Sequence, residues 1–203
     1  MPNWCMTNMV IEGHKADVEK IRGLLIQWTS KEYMHSDFGK NWLGNIVLGA
    51  GFKVDEEDGL HCRGWIDSIG DITESTDGYS FVVEYESAWG PVSDMWKAVM
   101  QKHAPTCAMY WYAEEPGNEV YETNDLNKKH FDMDYVVDSY VENSKNPLSS
   151  AFDGIEGFTK EGLKALLESM FGKGTLEGLI QKAENVPIGD NEWFSIHPIQ
   201  YEV

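Results

Sequence analysis

The carboxylates carry the first prospect of chemistry in this sequence. Glu84 and Glu86 alternate along a stretch that reads as a β-strand, and Glu114, Glu115 and Glu119 follow at and just beyond the end of the next one. If those strands pair in one sheet, Glu84 and Glu86 share a face and Glu114 comes near them. Carboxylates crowded in this way raise one another's pKa and can hold a hard cation through oxygen ligands. A solvated acidic sheet end has the same residue pattern and does no chemistry. No HExxH or strand-borne His-x-His spacing accompanies the acids, so neither a transition-metal site nor a cofactor is expected.

Further constellations compete with the carboxylates. Gly78-Tyr79-Ser80-Phe81-Val82-Val83 resembles the base-stacking central strand of an RNA-recognition sheet, but Asp77 stands at the basic position and Glu84 at the last aromatic one. Cys5 with His14 or His61 has the composition of a thiolate–imidazole pair; alternation places Cys5 on a core-facing strand side, where a thiol is inert. Pro2, if Met1 were removed, would offer a secondary amine whose pKa a dry pocket lowers, although a proline opening an edge strand is the ordinary case. Trp89, Tyr110, Trp111 and Tyr112 suit an interface or groove as well as a core.

These residues depend on the elements that position them. Tyr79–Glu86 alternates in period two and is rich in β-branched and aromatic residues, which predicts a strand. Gly90-Pro91 then opens a helix with Val92, Met95, Trp96, Val99 and Met100 on one stripe, ended by Pro105. Cys107–Glu114 is a strand, turned by Pro116-Gly117. Upstream, Asn3–Glu12 is a strand, Val18–Trp28 a helix stripe, and His61–Ile69 a strand joined to Tyr79 through a polar turn over Asp71–Gly78. Between them, Trp42, Leu43, Ile46, Val47 and Leu48 fit a short buried helix or a packed loop, and Gly39, Gly44, Gly49 and Gly51 argue for irregular backbone. The acidic turn Asp55–Asp58 lacks the ligand spacing of a calcium loop. Downstream, Asn118–Glu122 is expected to extend the sheet and Phe131–Val141 to form another strand. Asn143–Gly157 reads as a linker, followed by helices over Leu163–Phe171 and Leu176–Ala183 and an extended tail over Trp193–Val203.

The order β-α-β-β-α-β predicts an α+β, ferredoxin-like antiparallel sheet with both helices on one face, occupying residues 1–142 with extra strands. Residues 143–203 are predicted to add a linker, two short helices and an extended tail. The balance of 34 acidic against 16 basic residues, a net charge of −18, opposes binding to nucleic acid or to an anionic membrane. Three cysteines, none in a CxxC pair, argue against a disulfide framework and fit a reducing compartment. No apolar run approaches a membrane span and no secretory leader is legible, so a cytoplasmic protein is expected.

The opening MPNWC with Asn8 and Gly13, then Trp42–Asn45, Cys62–Gly64, Glu86–Trp89 with Pro91, Ala113–Gly117 and Tyr121–Asp125, together resemble the YubB ferredoxin-like domain family over roughly residues 1–135. The resemblance implies a ferredoxin-like domain of bacterial plasmids, phages and conjugative elements. It implies no activity and no site residues, because the family's function is unknown. The sequence is therefore expected to encode a non-enzymatic binding or accessory protein of a mobile element, its acidic surface meeting a protein partner or mimicking nucleic-acid charge, with self-association as the other form of partnership. A small-molecule or metal-dependent enzyme using the acidic sheet end is the alternative, and an RNA binder built on Tyr79 and Phe81 the third.

Overall fold

The structure, a computed structural model, describes residues 3–34, 38–54, 59–142, 145–152 and 157–202. Pro2, the acidic turn Asp55–Asp58, and parts of the expected linker (143–144 and 153–156) lie outside the described residues. The chain divides into two compact units, Met1–Val120 and Tyr121–Val203.

The first unit is built on strand β1 (Trp4–Gly13), followed by helices α1 (Lys15–Trp28) and α2 (Leu43–Gly49). Strands β2 (Gly64–Ile69), β3 (Thr73–Ser75) and β4 (Gly78–Ala88), helix α3 (Ser93–His103) and strand β5 (Ala108–Glu115) complete it. β1 is central, antiparallel to β4 on one side and to β5 on the other, and β2 pairs with the far edge of β4. Alternation divides the strands by face. Cys5, Met9 and Ile11 of β1, Phe81, Val83 and Tyr85 of β4, and Trp111 and Ala113 of β5 are buried in one core. Val18, Ile21 and Leu25 of α1 and Met95, Trp96, Val99 and Met100 of α3 join that same core, so both helices cover the same sheet face. Trp96 is 0% exposed and its ring centroid lies 5.5 Å from that of Tyr85.

From the boundary between the units onward come β6 (Val120–Thr123), β7 (Tyr135–Tyr140), α4 (Pro147–Ala151), β8 (Gly157–Phe158), α5 (Lys160–Phe171), α6 (Leu176–Glu184), β9 (Trp193–Pro198) and β10 (Gln200–Tyr201). β8, β7 and β9 form a three-stranded antiparallel sheet. Val137, Phe194 and Ile196 from that sheet pack with Leu163, Leu167, Leu176 and Leu179 from α5 and α6. Both helices begin on the same Thr-x-Glu-Gly-Leu sequence. Thr159 Oγ1 accepts from Gly162 N at 3.1 Å and Thr175 Oγ1 from Gly178 N at 3.2 Å, satisfying helix-end N–H groups that have no partner inside the helix.

The expected ferredoxin-like fold is corrected. The structure has a seven-stranded mixed sheet, in the order β10-β6-β5-β1-β4-β2 with β3 paired to β4, and the separate three-stranded sheet, with six helices in all among the described residues. β10 runs parallel to β6, so the large sheet is not purely antiparallel. The residues read as a polar turn supply β3. The C-terminal segment, expected as a linker, two helices and an extended tail, contributes β8, β9 and β10 besides α5 and α6. Short strands of two or three residues carry no periodicity, which is why they are invisible to pattern.

Of the two alternatives around Trp42, the short buried helix is the one that forms, and the glycines do not make its backbone irregular. Residues 43–49 are helical, and a Cβ on Gly44 would lie 2.3 Å from the Trp42 ring, one on Gly49 2.3 Å from the Trp28 ring. These glycines admit tryptophan rings against the helix instead of breaking it.

Candidate functional site

The face of the first unit's sheet opposite the helices carries the even-numbered residues of β1. Cross-strand register fixes their neighbours. Met6 stands between Glu86 on β4 and Glu114 on β5, and Asn8 between Glu84 and Tyr112. On the other side of β4, Trp65 pairs with Glu86 and Ser68 with Glu84. Directly paired residues point to the same side. Glu84, Glu86 and Glu114 therefore share one open face.

A β-bulge between Ile66 and Ser68 adds a fourth carboxylate. An extra residue in one strand re-aims side chains near it, and Asp67 comes within electrostatic reach of its neighbours on β4. Partial burial, then the negative charge of Glu86 and of Glu84, push the Asp67 carboxyl above its ordinary value. Two of the other acids are held by hydroxyls: Ser68 donates to Glu84 Oε2 at 2.7 Å and the Tyr112 hydroxyl to Glu114 Oε2 at 2.9 Å. Met6, 49% exposed, sits among the carboxylates, and Val82 is exposed further along β4. At the end of the face the Trp4 and Trp65 rings meet edge-on with centroids 5.0 Å apart.

The remaining sequence candidates lie elsewhere. Glu115, 3% exposed, folds back so that Oε1 accepts from Gly117 N at 2.9 Å, and Glu119 sits in the left-handed region with φ 55° at the following turn. Trp111 is a core residue, Tyr112 is nearly buried and Tyr110 half-buried on the open side. Trp89 is exposed and lines a different cavity, between the ends of β4 and α3. Phe81 is buried, which removes one of the two aromatics an RNA-stacking strand would present. Cys5 lies in the core with Sγ 3.9 Å from Thr7 Oγ1, and His14 stands beyond the opposite end of β1.

The carboxylates are spread too widely to enclose one ion. Glu86 and Glu114 flank β1, so they are two strand spacings, about 10 Å, apart at the backbone. Among the described residues, no group of three or more His, Cys, Asp or Glu is set to hold a metal ion. What the face offers instead is a row of negative charge with an apolar centre. Asp67 and Met6 were not singled out in the sequence. Met6 was legible from alternation, whereas Asp67 depends on a bulge that no pattern announces.

The segment Tyr121–Asp125 proves to be architectural. Asp125, 0% exposed, accepts from Lys129 N at 3.0 Å, His130 N at 2.7 Å and Phe131 N at 3.0 Å, while its own N–H donates to Thr123 Oγ1 at 3.1 Å. Burial alone would raise its pKa, but the three backbone donors outweigh that and hold the carboxyl below its ordinary value. Tyr121 stacks on the imidazole of His197 with ring centroids 4.6 Å apart.

Comparison of the chain with protein-family models, with curated proteins and with solved structures finds no match. No helix among the described residues is long and apolar enough to cross a membrane.

Proposed function

We propose that this chain is a non-catalytic binding protein whose acidic open sheet face docks a basic segment of a protein partner. One observation supports this: register and a bulge put Asp67, Glu84 and Glu86 side by side on the open face, next to the exposed Met6, with Glu114 across β1 from them. Carboxylates packed side by side repel, and a protein keeps that cost only where something offsets it. A partner presenting Lys or Arg would relieve the repulsion, and an apolar group seated on Met6 would add the water-excluding centre that interfaces require. Nucleic acid is disfavoured by the same charge. The motif resemblance supports the setting, an accessory protein of a bacterial mobile element acting in the cytoplasm.

The test uses short peptides of alternating arginine and leucine, titrated into the full chain with the methionine methyl groups carbon-labelled. Any polycation is drawn weakly to a protein of charge −18, so the control is a variant of equal charge. Glu84→Gln with Glu86→Gln should weaken binding at least about tenfold, as loss of two charge-assisted contacts implies. Glu19→Gln with Glu32→Gln, exposed acids remote in sequence from the face, should leave it nearly unchanged. The Met6 methyl resonance should move during the titration. Equal weakening by both double variants, or an unmoved Met6, would defeat the proposal.

A further inference from the structure

We propose that the cavity between the ends of β4 and α3 binds a small organic monoanion with a flat apolar body. The cavity is about 700 Å³, inside the range of small-molecule sites. Its walls are largely apolar, from Leu60, Pro91, Val92 and Met95, and its charged groups among the described residues are Arg63 and Asp94, with His61 beside them.

Trp89 and Arg63 make this more than a surface depression. Trp89 is 55% exposed although it is the largest kind of apolar side chain. Its backbone is held at φ 66°, in the left-handed region, while its N–H donates to Asn3 O at 2.9 Å. The loop behind it is pinned by Ser87, whose hydroxyl donates to Gly90 O at 2.8 Å. The Arg63 guanidinium lies over the Trp89 ring at 5.3 Å from its centroid, and Arg63 O accepts from Ala88 N at 2.9 Å, which ties that segment to the end of β4. An arginine stacked on an indole keeps its N–H edge available for a carboxylate. The indole, in turn, offers its exposed surface to a planar ligand body.

The charges select the ligand class. Arg63 favours one negative charge, and Asp94 in the same wall opposes a second, which points to a carboxylate and away from a phosphate dianion. The chain's overall negative charge does not forbid this, because exposed charges beyond about 8 Å are screened at physiological salt. The site uses none of the four carboxylates of the open sheet face, so either proposal can fail alone.

The test titrates the full chain with phenylacetate and, as the neutral match of the same shape, phenylacetamide, by ligand-observed NMR and calorimetry. Phenylacetate should bind with a dissociation constant below about 1 mM, and the amide about tenfold or more weaker, the discrimination expected of one charge-assisted contact. Arg63→Gln, at an exposed position, should abolish the preference for the acid while leaving amide binding in place. Trp89→Ala should weaken both. Absence of binding by either probe, equal binding of acid and amide, or a preference that survives Arg63→Gln would each overturn the proposal.

Discussion

Replacing Asp125 should cost more stability than replacing any carboxylate of the open face. In the native chain its two oxygens accept three backbone N–H groups, from Lys129, His130 and Phe131, at a position with no solvent exposure. Asp125→Ala leaves those donors buried without an acceptor. Each such orphan costs about 1–3 kcal/mol, and with some relaxation of the loop toward water the sum should be roughly 3–5 kcal/mol, a large share of a typical ~5–15 kcal/mol. Asp125→Asn keeps one acceptor oxygen but turns an NH2 toward the donors, so it should fall between wild type and alanine. The carboxyl's pKa is depressed in the folded state. Its contribution is therefore complete above the unfolded carboxyl's ordinary value of 3.8 and is lost as the pH falls from there through the folded value. Urea titrations of the three proteins at pH 7 and pH 3 measure both effects, and amide hydrogen exchange at Lys129, His130 and Phe131 localises them. A pH 7 loss below about 1 kcal/mol for Asp125→Ala, unaltered exchange at those amides, or a gap between wild type and Asp125→Asn that widens in acid would refute the reasoning.

Other substitutions test the first unit. Trp96→Ala should destabilise by roughly 3–5 kcal/mol. Trp96→Phe should cost less, because Trp96 Nε1 has no hydrogen-bond partner in its buried site and phenylalanine removes that donor; thermal denaturation of both variants decides. Gly64→Ala should cost about 1–3 kcal/mol or more, since a Cβ there would lie 2.1 Å from Glu86 O and 2.9 Å from Ser87 Cα; an unchanged denaturant midpoint would show that the strands can separate freely. Asp67→Asn should leave stability unchanged or raised at pH 7, because it relieves repulsion by Glu86 and Glu84; a clear fall in melting temperature would contradict the electrostatic account of that face. Fluorescence anisotropy with mixed-sequence RNA and single-stranded DNA at physiological salt should detect no binding. Micromolar binding weakened by Tyr79→Ala would reverse that conclusion.

Long periodic segments are legible in the sequence alone. The stripe Val92–Met100 and the alternation over Tyr79–Glu86 each contain enough repeats for periodicity to fix both the element and its buried side. What escaped was structure whose cause lies far away in sequence. β3 and β10 exist because a partner strand offers hydrogen bonds, and nothing in Thr73–Ser75 or Gln200–Tyr201 announces it. At Leu43–Gly49 the apolar residues allow a helix and the glycines argue against it; the glycines' role is visible only once the Trp42 and Trp28 rings lie against them. The site divided similarly. Glu84, Glu86 and Glu114 follow from strand parity, whereas Asp67 depends on a bulge. The Arg63–Trp89 stack joins residues that strand pairing brings together, and spacing within either segment contains no trace of it.

The acids of this chain divide by what their oxygens touch, and that division bears on function. Asp125, Asp134, Glu115 and Glu184 accept backbone N–H groups: Asp134 Oδ2 takes Lys160 N at 2.7 Å at the start of α5, and Glu184 Oε1 takes Ile196 N at 3.2 Å on β9. Each replaces an acceptor that secondary structure cannot supply at that point, so it is bound to the fold by the cost of leaving the donor unmet. On the open face Glu84 takes a hydroxyl donor from Ser68, which water could replace at little cost, Glu114 takes one from Tyr112, and Asp67 is placed where its neighbours repel it. Folding alone would be served as well or better by glutamine at Glu84 and Glu86. On the proposed reading, charge held against its own repulsion on an exposed face, beside an uncovered methionine, is kept for a basic partner that approaches that face, and the Glu84→Gln, Glu86→Gln chain should then fold like wild type and fail only in binding.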